Sequence, residues 1–317
     1  MRRPIPSAIV TLCILMPVSL AARGGQEQLD RPQQTFRASV DVVTIQASVR
    51  DARGRPVRGL TANDFEVRDN GQLRPMLSLR ADLRAPVSLA ILVDMSGSMR
   101  LGPKMAMVGQ ALDTVLSQLR TGDDEVGLFT FDSALHEREV FTRDLIVMEG
   151  ALTEFEPFGT TSLYDATAQT ARHVAARSAS RKAVIVFTDG VDTSSALNAS
   201  EVSALASSID VPVYIVATVS PVDQRARTEG VNRPSEAADL RDLANWTGGR
   251  FEFATTFGET VTAATTIVDE IRQQYLLAIA ATDAREWRRL DVRVKRPSAI
   301  VKARSGCSGE QKGCEEG

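Results

Sequence analysis

The sequence predicts an α/β protein: a doubly wound, mostly parallel sheet flanked by helices, with a small β-sandwich built from the two ends of the chain. Three observations carry this. From Pro86 to Tyr275, short apolar runs alternate with segments of helical period, the pattern of a parallel sheet covered by helices on both faces. Val87–Val93, Ala183–Thr188 and Val211–Ala217 are near-continuous apolar runs, as strands buried on both faces are. On either side of this region the helical period disappears and strand alternation replaces it.

The chain has 317 residues, of which 43% are hydrophobic, enough for a substantial core. A net charge of −3 and the lack of any long Lys/Arg block exclude a nucleic-acid footprint. Arg2 and Arg3, the apolar run Ala8–Met16 and the small-x-small Ser19-Leu20-Ala21 read as an export signal over residues 1–21. Kept uncleaved, it would act as an anchor. Residues 22–34 are a polar, turn-rich linker.

Residues 35–84 form the N-terminal β segment. Val43, Ile45, Ala47 and Val49 alternate with polar residues, Asp51–Gly54 is a turn, and Asp69-Asn70-Gly71 is a hairpin turn. Residues 85–275 form the α/β domain. After the first strand, Met105, Val108, Leu112, Val115, Leu116 and Leu119 share one face of a helix. Val126–Phe131 and Leu135–Phe141 read as strands. Leu145–Phe155, Leu163–Ala176, Glu201–Ile209 (with Ser200 as N-cap), Ala237–Trp246 and Glu259–Tyr275 read as helices. Arg250–Ala254 is a short strand. Residues 276–304 are C-terminal strands expected to pair with the N-terminal segment, since an unpaired strand would be an exposed edge. Residues 305–317 are a flexible tail, where Cys307 and Cys314 could close a small disulfide loop. Outside the signal, no run is long and apolar enough to span a bilayer.

Three predicted loops at one edge of the sheet are rich in oxygen donors. Asp94, Ser96 and Ser98 follow the first buried strand directly, and Gly97 lets the backbone fold closely between them. Gly159-Thr-Thr-Ser-Leu-Tyr-Asp165 precedes a helix, and Thr188-Asp189-Gly190 ends the second buried strand. In open α/β sheets ligands bind beyond the carboxyl ends of the strands. Oxygen ligands with no His or Cys suit Mg²⁺, Mn²⁺ or Ca²⁺ rather than zinc or copper. Asp94 and Asp189 together would roughly cancel a dication's charge, leaving a metal able to accept a carboxylate from a partner. Asp165 reads as a helix N-terminal charge, Asp192 as solvated, and His136 and His173 as structural or surface residues. Ser220–Pro234 is a polar insertion beyond a strand end that reads as a mobile connection or as a specificity loop.

Asp-Met-Ser-Gly-Ser-Met after an apolar strand, the Gly-Thr loop before Leu-Tyr-Asp-Ala, and the strand ending Thr-Asp-Gly together resemble the von Willebrand factor type A domain and its metal-ion-dependent adhesion site. The likeness covers about residues 85–275. The flanks resemble an exported bacterial group related to this domain. The resemblance implies that Asp94, Ser96 and Ser98 are first-loop ligands. Thr161, standing three residues before Tyr164, is the second-loop ligand rather than its neighbour Thr160. Asp189 is the third-loop carboxylate, acting through water. It also implies a non-enzymatic, extracytoplasmic (periplasmic or secreted) module that binds a protein or peptide carboxylate through Mg²⁺, or Mn²⁺ or Ca²⁺. Two other classes are open to the residues: a metal-dependent hydrolase, for which no general base is evident near the loops, and a scaffold whose metal site meets no ligand.

Overall fold

A computed structural model describes residues 42–81, 83–148, 156–190, 192–219, 234–280 and 288–307. The expected signal and linker, residues 220–233 of the polar connection, and Cys314 lie outside the described residues.

Six strands form the central sheet: β5 (Val87–Asp94), β6 (Glu125–Phe131), β7 (Leu135–Thr142), β8 (Arg181–Thr188), β9 (Val213–Thr218) and β10 (Phe251–Ala254). Their order is β10-β9-β8-β5-β6-β7. All neighbours are parallel except β7, an antiparallel edge on β6. The central strands β5 and β8 are buried almost throughout because both faces are covered. On one face Leu89, Ile91, Val93, Ile185 and Phe187 pack under α1 (Lys104–Gln118), together with residues Ala263–Ile271 of a later helix. On the other, Ala90, Leu92, Val184 and Val186 pack under α2 (Leu163–Ala175) and α3 (Ala199–Ser208), with Leu240–Ala244 of α4 (Pro234–Trp246). The later helix is α5 (Phe257–Arg272).

From β5 the chain goes by α1 to β6 on one side, and later returns to β8 on the other. The crevice between the carboxyl ends of β5 and β8 is therefore the switch point of the sheet.

The chain ends make the sandwich together. Strands β1 (Val42–Arg50), β2 (Phe65–Asp69), β3 (Gln72–Arg74) and β4 (Met76–Arg80) come from the N-terminal segment. Strands β11 (Tyr275–Ala280), β12 (Arg288–Val294), β13 (Ile300–Ala303) and β14 (Gly306–Cys307) come from the C-terminal one. One sheet has the order β13-β1-β11-β4 and the other β14-β12-β2-β3. β1 lies between β11 and β13, and β4 pairs only with β11. β2 and β3 pair with each other across a turn in which Asn70 (φ 48°) and Gly71 (φ 80°) supply the left-handed conformations of a two-residue hairpin. Ile45, Val67, Leu277 and Leu290 share the sandwich core.

Local readings needed correction. Leu145–Met148, expected to open a helix over 145–155, is a single 3₁₀ turn, and 149–155 lie outside the described residues. The N-cap of α3 is Asn198, not Ser200. Its side chain accepts the Glu201 N–H while Glu201 accepts the Asn198 N–H, a reciprocal capping box. α5 stops at Arg272, so Tyr275 begins a strand, where its hydroxyl donates to the Val57 carbonyl at 2.9 Å. Gly306 and Cys307, expected in a flexible tail, form β14 and pair with β12. Among the described residues, no helix is long and apolar enough to cross a membrane.

After α4 the chain turns through Gly248 (φ 86°) and Gly249. A Cβ on Gly249 would stand 2.0 Å from the Val213 carbonyl oxygen. That neighbour is backbone of a buried central strand and has nowhere to move. Gly249→Ala should therefore lower stability by about 3 kcal/mol, at or beyond the upper end of ordinary overpacking. Urea unfolding checks this; a loss under about 1 kcal/mol would mean that the turn yields.

Candidate metal centre

Loop one begins where β5 runs out. Asp94 is the last residue of the strand and has no exposed surface. Its Oδ1 accepts the Ser96 N–H at 2.8 Å, and its Oδ2 accepts the Thr188 hydroxyl at 2.6 Å. Thr188 ends β8, so the two adjacent parallel strands are fastened at their carboxyl ends. A 3₁₀ turn over Gly97–Arg100 then folds the chain so that the Ser96 and Ser98 hydroxyls stand 3.1 Å apart.

Loop two is held against loop one by its backbone. The Phe158 N–H donates to the Met95 carbonyl at 2.7 Å, and the Gly97 N–H donates to the Gly159 carbonyl at 3.1 Å. Gly159 (φ 94°) takes a conformation that side chains disfavour. Thr161 is buried, whereas Thr160 is exposed and accepts from the Ser194 hydroxyl at 3.2 Å. The Thr161 N–H donates to the Thr193 hydroxyl, and its carbonyl accepts from the N–H groups of Thr193 and Ser194. The Ser162 N–H donates to the Asp132 carbonyl at 2.7 Å, which ties loop two to the end of β6.

Loop three places Asp189 in a buried position one residue beyond Thr188. Its Oδ2 meets the ammonium of Lys104 at 3.0 Å. Lys104 opens α1, is 1% exposed, and also donates to the Ser98 carbonyl at 3.1 Å. Sequence reasoning missed this lysine. Its signal was present: on a helical period, position 104 falls on the same face as Val108, Ala111 and Val115, all buried.

Two carboxylates outside the predicted set do more than the sequence suggested. Asp165 accepts the N–H groups of Ala196 and Leu197 at 2.9 Å each. Asp192, read as solvated, accepts the Ser195 hydroxyl at 2.6 Å and the Ser195 N–H at 3.1 Å. Both act to pin the segment after loop three against the start of α2. His136 sits 3.4 Å from Asp132, and His173 packs on the Phe129 ring.

The donor types are those a hard dication takes: the carboxylates of Asp94 and Asp189 and the hydroxyls of Ser96, Ser98 and Thr161. Among the described residues no group of three or more His, Cys, Asp or Glu gathers for a metal. Burial pushes Asp94 up from the ordinary 3.8 to about 6, with a smaller contribution in the same direction from Asp189; hydrogen bonds from Ser96 and Thr188 act against it. A buried carboxylate in this state gains from a nearby cation. Leu101 (56% exposed) and Phe158 (76% exposed) place apolar surface on loops one and two.

A family model described as von Willebrand factor type A domain matches residues 89–191, a span that contains Asp94, Ser96, Ser98, Thr161 and Asp189. No curated protein matches the chain. Among solved structures, BatB from Bacteroides thetaiotaomicron is 18% identical, with a TM-score of 0.47 over 58% of this chain and 98% of its own. An aerotolerance-related membrane protein from Bacteroides fragilis is 20% identical, with a TM-score of 0.46 over the same shares. Proximal thread matrix protein 1 from the mussel byssus, solved with a zinc-occupied MIDAS motif, is 14% identical, with a TM-score of 0.49 over 70% of this chain and 50% of its own.

The pKa of Asp94 sets a pH dependence. The folded value lies above the unfolded one, so the contribution of Asp94 to the stability of the metal-free protein falls as pH rises from about 4 to about 6 and stays unfavourable above. Asp94→Asn removes that penalty. In EDTA at pH 7.5 the variant should be more stable than wild type by roughly 3 kcal/mol, with the difference vanishing near pH 4. Urea titrations across pH measure it; a variant no more stable at pH 7.5 would contradict the cause assigned.

Proposed function

From the match of residues 89–191 to the von Willebrand factor type A domain, we propose that the protein is an extracytoplasmic, non-enzymatic binding module. Asp94, Ser96, Ser98 and Thr161 would hold a divalent cation, Mg²⁺ or Mn²⁺ or Ca²⁺, with Asp189 acting through water. The bound ion would supply an electrophile for a carboxylate of a protein or peptide partner. The observation that carries this reading is the fastening of a buried, raised-pKa Asp94 to β8, with paired serine hydroxyls beside it.

The chain's own residues do the positioning. Thr188 and the Ser96 N–H fix both oxygens of Asp94, and the Gly97–Gly159 bond sets loop two against loop one. Leu101 and Phe158 offer apolar contact beside a polar centre, the mixture common at protein interfaces. Export rests on the residues 1–21 pattern. Catalysis would need a positioned base. Asp165 and Asp192 are instead engaged with backbone and hydroxyl donors, and Asp132 with the Ala134 N–H and His136. The two histidines, His136 and His173, meet Asp132 and the Phe129 ring rather than the five site residues, which favours binding over hydrolysis.

Selection of a random peptide library on the immobilised protein in Mg²⁺, with elution by EDTA, tests the reading. Eluted peptides should be enriched in Asp or Glu at one position beside an apolar residue, and should not bind Asp94→Ala. Peptides that resist EDTA, or that bind the variant equally, would overturn it.

A further inference from the structure

The two-carboxylate site contains a built-in cation. Lys104 Nζ lies 3.0 Å from Asp189 Oδ2 and 3.1 Å from the Ser98 carbonyl. The lysine is 1% exposed, and Asp189 is buried. One ammonium thus joins the first loop to the third across the crevice between β5 and β8. A buried charge persists only where partners of opposite charge or polarity compensate it, and removing one partner weakens that compensation for the other.

We propose that Lys104 is a positioning residue and resident counter-cation of this site. It locks loop three to loop one without metal, and it offsets the charge of Asp189. Asp94, Asp189 and Lys104 together carry one net negative charge, not two. A dication bound among them therefore keeps one net positive charge. The metal is held less tightly, and its pull on a partner's carboxylate is greater. This second consequence rests on the metal-binding reading above; the lock does not.

The lock is tested in EDTA by a double-mutant cycle of Lys104→Met and Asp189→Asn in the full chain, followed by urea unfolding. Lys104→Met should lower the urea midpoint. Adding Asp189→Asn should recover part of the loss, because the carboxylate that lost its ammonium is gone. Strictly additive effects would overturn the lock. The counter-charge is tested by Mn²⁺ titration of wild type and Lys104→Met, using the paramagnetic loss of free Mn²⁺ signal. The variant should bind about tenfold more tightly, since a like charge has left the site. Equal or weaker affinity overturns the counter-charge. If neither protein binds Mn²⁺, the metal reading and the counter-charge both fall, while the cycle still decides the lock. Binding by the variant alone would support Lys104 as an internal replacement for the metal and overturn the proposed function.

Discussion

The burial of β5 on both faces is the constraint on which the rest depends. Its apolar residues separate the two helical layers while belonging to both, Leu89, Ile91 and Val93 to one core and Ala90 and Leu92 to the other. A strand so enclosed has no freedom of register, because a shift by one residue would exchange its faces. Its end is therefore a fixed point, and Asp94 stands there. The Thr188 hydroxyl then joins that point to the end of β8. The three loops gather about a carboxylate whose position was set by core packing, and side chains on rigid elements hold a geometry better than side chains on loops do.

A second set of buried polar contacts joins the sandwich to the α/β body. Glu270 on α5 accepts from Ser48 at 2.8 Å and pairs with Arg50 at 2.9 Å and Arg250 at 3.0 Å. Arg304, 1% exposed, donates to the Ser207 carbonyl at 2.6 Å and faces Asp210 at 3.3 Å. Buried pairs of this kind contribute little net stability compared with apolar packing, but leaving one partner alone is costly. They specify how β1 and β13 meet the helices. With β1 paired to β11 directly after α5, the chain ends are built into one body with the domain that carries the site.

Much of this was legible in the sequence because burial writes a strong pattern. Val87–Val93 and Ala183–Thr188 announced strands covered on both sides, and the residues after each announced the site edge. The Asn70-Gly71 turn was legible because few residues accept two left-handed conformations in succession. What was not legible depended on contacts distant in sequence. The helical register put Lys104 on a buried face, but its partner Asp189 lies 85 residues away and could not be read from the sequence. Asp192 gave no sign that Ser195 would hold it. Tyr275 continues an apolar pattern from α5, and only its pairing with Ala47 makes it a strand residue. Ser200 lost the cap to Asn198 because Glu201 completes the box only with Asn198, three residues before it.

The central claim is that the end of β5 is a cation site built on Asp94. Calorimetric titration of Mg²⁺ into metal-stripped protein, beside Asp94→Ala, addresses it most directly. One saturable site is expected in the wild type and none in the variant, with the variant still showing a cooperative unfolding transition. Equal binding by both proteins, or none by the wild type, would contradict it.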